Sequence, residues 1–198
     1  MKPFIFLGVL LLSACSSLPT STEYVARGNG YLKDGKKQQA IDAYNKAVVL
    51  NPANWDAYVA RGAAYFYNGQ YQAAEADFER VLKENPYRFP VYTAYASTLA
   101  AQGKFAPALE LLNQAVQLRP QSAETYFARA GVLFMLGRYD LAVADYTKTL
   151  EIRPSADVLR ARATAYQLWG KPEQAKQDFE TAQNAQLPQH LNDYATME

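Results

Sequence analysis

Thiols and imidazoles are almost missing from this chain, whose 198 residues include one Cys and one His. One of each cannot assemble a Cys/His zinc site or a disulfide framework. Excess charge is missing as well, with 20 Lys and Arg against 19 acids and a net charge of +1. Removing residues 1–14 takes away Lys2 and no acid, which leaves a neutral chain. A neutral chain has no electrostatic footprint for nucleic acid or polyphosphate. No Gly-rich phosphate loop is present. His190 has no Ser–Asp or Cys arrangement fixed beside it, and nothing pairs the carboxylates as an acid/base couple. No metal and no cofactor are expected, and an enzyme is the least favoured of the functional classes.

The chain is nevertheless 49% apolar and 13% aromatic, enough for a substantial core. Residues 1–15 read MKPFIFLGVLLLSAC, a short basic start followed by an apolar run from Phe4 to Leu12. Nine residues are about half of what a bilayer-spanning helix needs, so the run reads as a secretory apolar region. It ends in Leu12-Ser13-Ala14-Cys15, which resembles the bacterial lipobox. The resemblance implies cleavage before Cys15 and lipid attachment to it, with residues 15–20 as a short tether. Ser16 is not the Asp that usually retains such lipoproteins at the inner membrane, so the implied address is the periplasmic face of the outer membrane. The alternative is an ordinary signal peptide followed by a free thiol.

The remainder is one pattern written five times. Pro52, Pro86, Pro120 and Pro154 are spaced by 34 residues, and so are Gly35, Gly69, Gly103 and Gly137. Ala40, Ala74, Ala108 and Ala142 form a third column, and Tyr24, Tyr58, Tyr92 and Tyr126 a fourth. A 34-residue period with small, aromatic and Pro columns resembles the tetratricopeptide repeat. The resemblance covers residues 21–189 and implies an all-α solenoid of helix-turn-helix repeats forming a partial right-handed superhelix. The expected repeats are 21–54, 55–88, 89–122, 123–155 and 156–189. The fourth is one residue short, because only a start at Ala156 puts Gly170, Ala175 and Phe179 on their columns. Residues 190–198 are expected to be a tail or a short cap over the last repeat.

Counting from the first residue of each repeat, Gly at position 15 serves the turn, where φ > 0 is needed. Of the 15 Tyr, 12 fall at positions 4, 7, 11, 17 or 24, which are packing positions, so the aromatic content reads mainly as core. Tyr126 is among those expected to be core. Arg61, Arg129 and Arg162 occupy position 7, with Asp77, Asp145 and Asp178 at position 23 of the same repeats. Repeat three has neither, with Tyr95 and Leu111 instead, and repeat one has Arg27 without the Asp. The arginines that have an Asp at position 23 read as three Arg–Asp bridges within repeats. A basic ladder for an anionic ligand would not need the Asp.

The family resemblance also implies a ligand groove on the first helices. The candidate partner-binding residues are Asn29 in repeat one, Phe66 and Tyr67 in repeat two, and Ser97 in repeat three. Phe127, Phe134 and Met135 in repeat four follow, with Arg160 and Gln167 in repeat five. Tetratricopeptide domains that clamp chaperone carboxyl termini carry a basic residue where repeat one has Val25, so that activity is not supported. The groove is instead apolar, with Ala100 and Ala101 leaving space. An exposed apolar patch of this kind marks a partner site; the alternative is a groove closed by curvature or by the tail. The functional expectation is an outer-membrane lipoprotein that acts as a protein-binding adaptor or assembly factor. Lipid at Cys15 would hold it to the membrane, and its partner would be an extended or helical segment of an envelope-machine component. By architecture it is similar to lipoproteins that assist type IV pilus or secretin assembly. Rival readings are a scaffold for peptidoglycan enzymes or outer-membrane protein assembly, and a self-associating structural subunit.

Overall fold

The computed structural model describes residues 18–184. The proposed leader, Cys15, His190 and the tail therefore lie outside the described residues. Among the described residues, ten helices follow one another in five antiparallel pairs. They are α1 (Ser21–Lys33) with α2 (Lys37–Leu50), α3 (Trp55–Tyr67) with α4 (Tyr71–Glu84), and α5 (Phe89–Ala101) with α6 (Phe105–Leu118). The last two pairs are α7 (Ala123–Met135) with α8 (Tyr139–Ile152), and α9 (Ala156–Leu168) with α10 (Pro172–Gln183). Each helix packs on its neighbours in the chain, so the molecule is an α-solenoid. First helices also touch one another, α1 on α3, α3 on α5 and α5 on α7. Second helices make no comparable contacts. The stack therefore curves with its first helices inside.

The turn within each pair is built the same way five times. Gly35, Gly69, Gly103, Gly137 and Gly170 all take φ between 72° and 77°, which an L side chain adopts only with strain. The amide after each glycine donates back to a carbonyl five residues earlier, as Lys104 does to Leu99 at 2.9 Å and Arg138 to Leu133 at 2.9 Å. This Schellman closure satisfies carbonyls that the helix end leaves open. First helices are begun differently, by side-chain caps in four of the five repeats. Thr20 and Glu23 form a reciprocal capping box on α1, and Asn54, Ser122 and Ser155 cap α3, α7 and α9.

Close approach within a pair depends on position 8. A Cβ built on Gly62 would stand 2.9 Å from the Phe78 ring, and one on Gly28 would run into Tyr44. The buried core runs along the stack as four clusters joined by the partly buried Tyr65, Tyr95 and Leu109, with Tyr44, Phe78, Leu112 and Tyr146 at the same position of successive second helices, all buried. Tyr58 and Tyr92 are also buried. Tyr126 is not: it is half-buried, with the Arg129 guanidinium 5.5 Å above its ring. Tyr58, at the same position, is also covered by Trp55 and Arg80, where repeat four has Ala123 and Lys148.

Candidate protein-binding face

The three Arg–Asp pairs are present, each two-pronged. Arg61 donates to Asp77 at 2.8 and 2.6 Å, Arg129 to Asp145 at 2.7 and 2.8 Å, and Arg162 to Asp178 at 2.8 and 2.8 Å. Hydrogen bonding to Asp145 is the main reason that the Arg129 guanidinium is held even more firmly protonated than usual, against the cost of its partial burial. Each arginine has a further partner that comparison within repeats did not reveal. Its remaining nitrogen reaches position 25 of the preceding repeat: Asn45 at 2.9 Å, Asn113 at 3.0 Å and Thr147 at 3.0 Å. The arginines therefore stitch successive repeats together. Where repeat three lacks the arginine, the preceding repeat has Glu79 at that position. Comparing position 7 with the repeat before it, and not only with position 23, would have found the link.

On the inner face, the nine candidate residues divide into groups. Asn29 is exposed, yet its side-chain oxygen accepts a 2.7 Å hydrogen bond from the buried Tyr44 hydroxyl. Arg160 is an exposed residue paired with Asp157 at 2.6 Å, and Gln167 is exposed. Phe66 and Phe134 are not the free rings that the sequence suggested. Both are half-buried, and each packs on the position-17 tyrosine of its own repeat, with ring centroids 5.7 Å apart for Phe66–Tyr71 and 5.4 Å for Phe134–Tyr139. Tyr67, Met135 and Phe127 do face solvent, at 66%, 62% and 42% of their full exposure.

Ser97, Phe134 and Met135 come together around an apolar pocket of about 450 Å³ between repeats three and four. Ala100, Phe105 and Leu112 form one wall, and Ala128, Gly131 and Val132 of α7 help form the other. Among the described residues, no charged side chain lines it. The acids at position 2 of the first helices are already engaged, Asp56 with Arg88 at 2.7 Å, Glu124 with Arg153 at 2.9 Å and Asp157 with Arg160. One turn before Ser97, the Thr93 hydroxyl is buried without a partner, alone among the described side chains. Thr98, Thr147, Thr149, Thr164 and Thr181 each donate to the carbonyl four residues back, as Thr98 does to Ala94 at 2.8 Å. An open, uncharged, apolar concavity on a rigid inner face suits an apolar protein segment.

Tetratricopeptide-repeat family models match residues 25–89, 65–130 and 99–165. The chain belongs to the tetratricopeptide-repeat family. Proteins of this family are scaffolds for protein–protein contacts. Among solved structures, a crystal structure of MamA protein is 22% identical with a TM-score of 0.74, covering 90% of this chain and 95% of that one. The structure of MamA 41-end from Desulfovibrio magneticus RS-1 is 16% identical with a TM-score of 0.76, covering 90% and 97%. TTC0263, a thermophilic tetratricopeptide protein of Thermus thermophilus, is 19% identical with a TM-score of 0.70, covering 89% and 96%. These likenesses concern the fold. No curated protein matches the sequence at a significant level.

Proposed function

We propose that this tetratricopeptide scaffold is an outer-membrane lipoprotein that works in the periplasm as an adaptor, holding an apolar segment of an envelope-assembly component on its inner face. The observation that carries the binding half is the uncharged pocket between repeats three and four, with the exposed Met135 at its rim. The anchoring half rests on the lipobox-like Leu12-Ser13-Ala14-Cys15. Several acyl chains at Cys15 would suffice for stable anchoring. The tether from Ser16 to Thr20 spans at most about 20 Å, so the scaffold would work close under the membrane.

Two variants test the halves separately. Cys15→Ser is expected to remove the lipid mass and release the protein from the membrane fraction; an unchanged distribution would overturn the anchoring half. Met135→Ala is expected to abolish crosslinking of an envelope partner while leaving thermal unfolding within about 0.5 kcal/mol of the parent, as for other exposed substitutions. Undiminished crosslinking would overturn the binding half.

A further inference from the structure

The pocket has a specific origin. At position 12 the five repeats carry Leu32, Phe66, Ala100, Phe134 and Gln167, and at position 17 they carry Lys37, Tyr71, Phe105, Tyr139 and Pro172. In repeats two and four, a phenylalanine at position 12 packs on the ring at position 17, 5.7 and 5.4 Å away. Repeat three keeps the second ring, Phe105, and replaces the first with Ala100; both line the pocket. The void is thus the place of a missing ring.

Gly131, on the opposite wall, deepens it. Among the described helix-interior glycines, Gly28 and Gly62 are required by the rings against them, whereas Gly30 and Gly131 are not, and of these two only Gly131 lines the pocket; the turn glycines are required by their φ. A Cβ on Gly131 would meet nothing within 4 Å, and no positive φ demands glycine there. A glycine inside a helix carries an entropic cost. At Gly131 its structural effect is to keep the pocket open.

We propose that the pocket is a receptor for one aromatic side chain, supplied by an uncharged segment of a partner protein, whose ring packs on Phe105 as Phe66 packs on Tyr71. This deepens the adaptor reading and rests on it. Its volume of about 450 Å³, open to solvent, leaves ample room, since a closed apolar cavity of about 150 Å³ takes up benzene. Charge argues for the same occupant. The walls carry no charge among the described residues, so an ionic segment would lose hydration there without gaining a partner.

The experiment pans a displayed library of random dodecapeptides against the folded scaffold, then repeats binding with Ala100→Phe and, as a second closure from the other wall, Gly131→Leu. Selected peptides are expected to share one Phe, Tyr or Trp in an uncharged stretch. They should lose at least tenfold in affinity when that ring becomes Ala, and should lose similarly on both variants. Ala100→Phe should also raise the melting temperature by supplying the missing ring. Peptides that shift the amide resonances of α5 and α7 but lack a common aromatic, or bind both variants as well as the parent, would overturn the ring receptor and leave the adaptor reading standing. Failure of any peptide to bind the inner face would overturn the ring receptor, while partner crosslinking through Met135 would still decide the adaptor reading. A lowered melting temperature for both variants would show that the void does not fit a ring.

Discussion

Each of the three Arg–Asp pairs is two-pronged within its repeat, and the arginine's remaining nitrogen crosses to position 25 of the preceding repeat, as Arg129 does to Asn113. Side-chain exposure is 21% for Arg129 and 9% for Asp145, so the pair is largely desolvated. Asp145→Ala should therefore cost about 3–5 kcal/mol in chemical denaturation, because it leaves a guanidinium unpaired. Converting both residues to the Tyr95 and Leu111 types should recover much of that loss. A double variant no better than the single one would mean that the pairing is not what holds the two helices. Thr93 gives the opposite expectation. Its hydroxyl is buried without a partner, so Thr93→Val should be neutral or stabilise by up to about 1–3 kcal/mol. Glu75 provides a pH dependence. Burial works to raise its carboxyl, but hydrogen bonds from Lys104 and Gln102, with the charge of Lys104, outweigh it and hold the group below the usual glutamate range. A carboxyl lowered by folding stabilises the fold above its ordinary pKa, and the contribution disappears as pH falls below about 4.5. The loss of melting temperature between neutral and pH 3 should thus be smaller in Glu75→Gln than in the parent. The difference should correspond to less than about 1 kcal/mol, because Lys104 remains half in water.

At the scale of the helix pair, the sequence was most legible where backbone geometry demands one residue type. Every position-15 glycine has the positive φ that its column suggested. Legibility failed where packing depends on a neighbour that is not adjacent in the pattern. Phe66 and Phe134 look exposed from their own helix alone, because the tyrosines at position 17 that cover them belong to the other helix of the pair. Position 8 makes the coupling testable. Gly62 faces Phe78, whereas repeat three combines Ala96 with Leu112. Gly62→Ala should force the ring aside and cost about 1–3 kcal/mol. Adding Phe78→Leu should bring the two helices to the combination already used by repeat three, so the two changes should cost less together than their sum. Strict additivity in a double-mutant cycle would show that α3 and α4 do not meet through these side chains. Gly30→Ala provides the contrast in a neighbouring repeat. No atom lies within 4 Å of the added methyl and φ is ordinary, so this change should stabilise the protein by about 0.4–1 kcal/mol.

Across the whole molecule, the repeats behave as interchangeable units only if linker length and stitching both allow it. Three linkers have four residues, 51–54, 85–88 and 119–122, while 153–155 has three. The shorter one is accommodated by its cap: Ser155 accepts from the amide two residues on, whereas Asn54 and Ser122 accept from the amide three residues on. Deleting residues 88–121 removes 34 residues, joins Tyr87 to Ser122, and keeps both a four-residue linker and the Ser122 cap of α7. Repeat two then precedes repeat four. Arg129 loses Asn113 at position 25 and finds Glu79 there instead, a second acid for a cation that already holds Asp145. The stitch should therefore survive the deletion. The pocket should not, since α5 and α6 supply one of its walls. The shortened protein is expected to unfold in one cooperative transition with unchanged helicity per residue, at a lower temperature because one repeat and one net interface are gone. A deletion of 30 residues, 92–121, is the control. It breaks the period, and should give a broad transition or none. If the 34-residue deletion also fails to fold, the repeats are not exchangeable and the match of Arg129 to position 25 has no role in joining them. If it folds and loses every peptide selected on the parent, the solenoid and the pocket are separable: the stack rests on the period, and binding on the one repeat that departs from it.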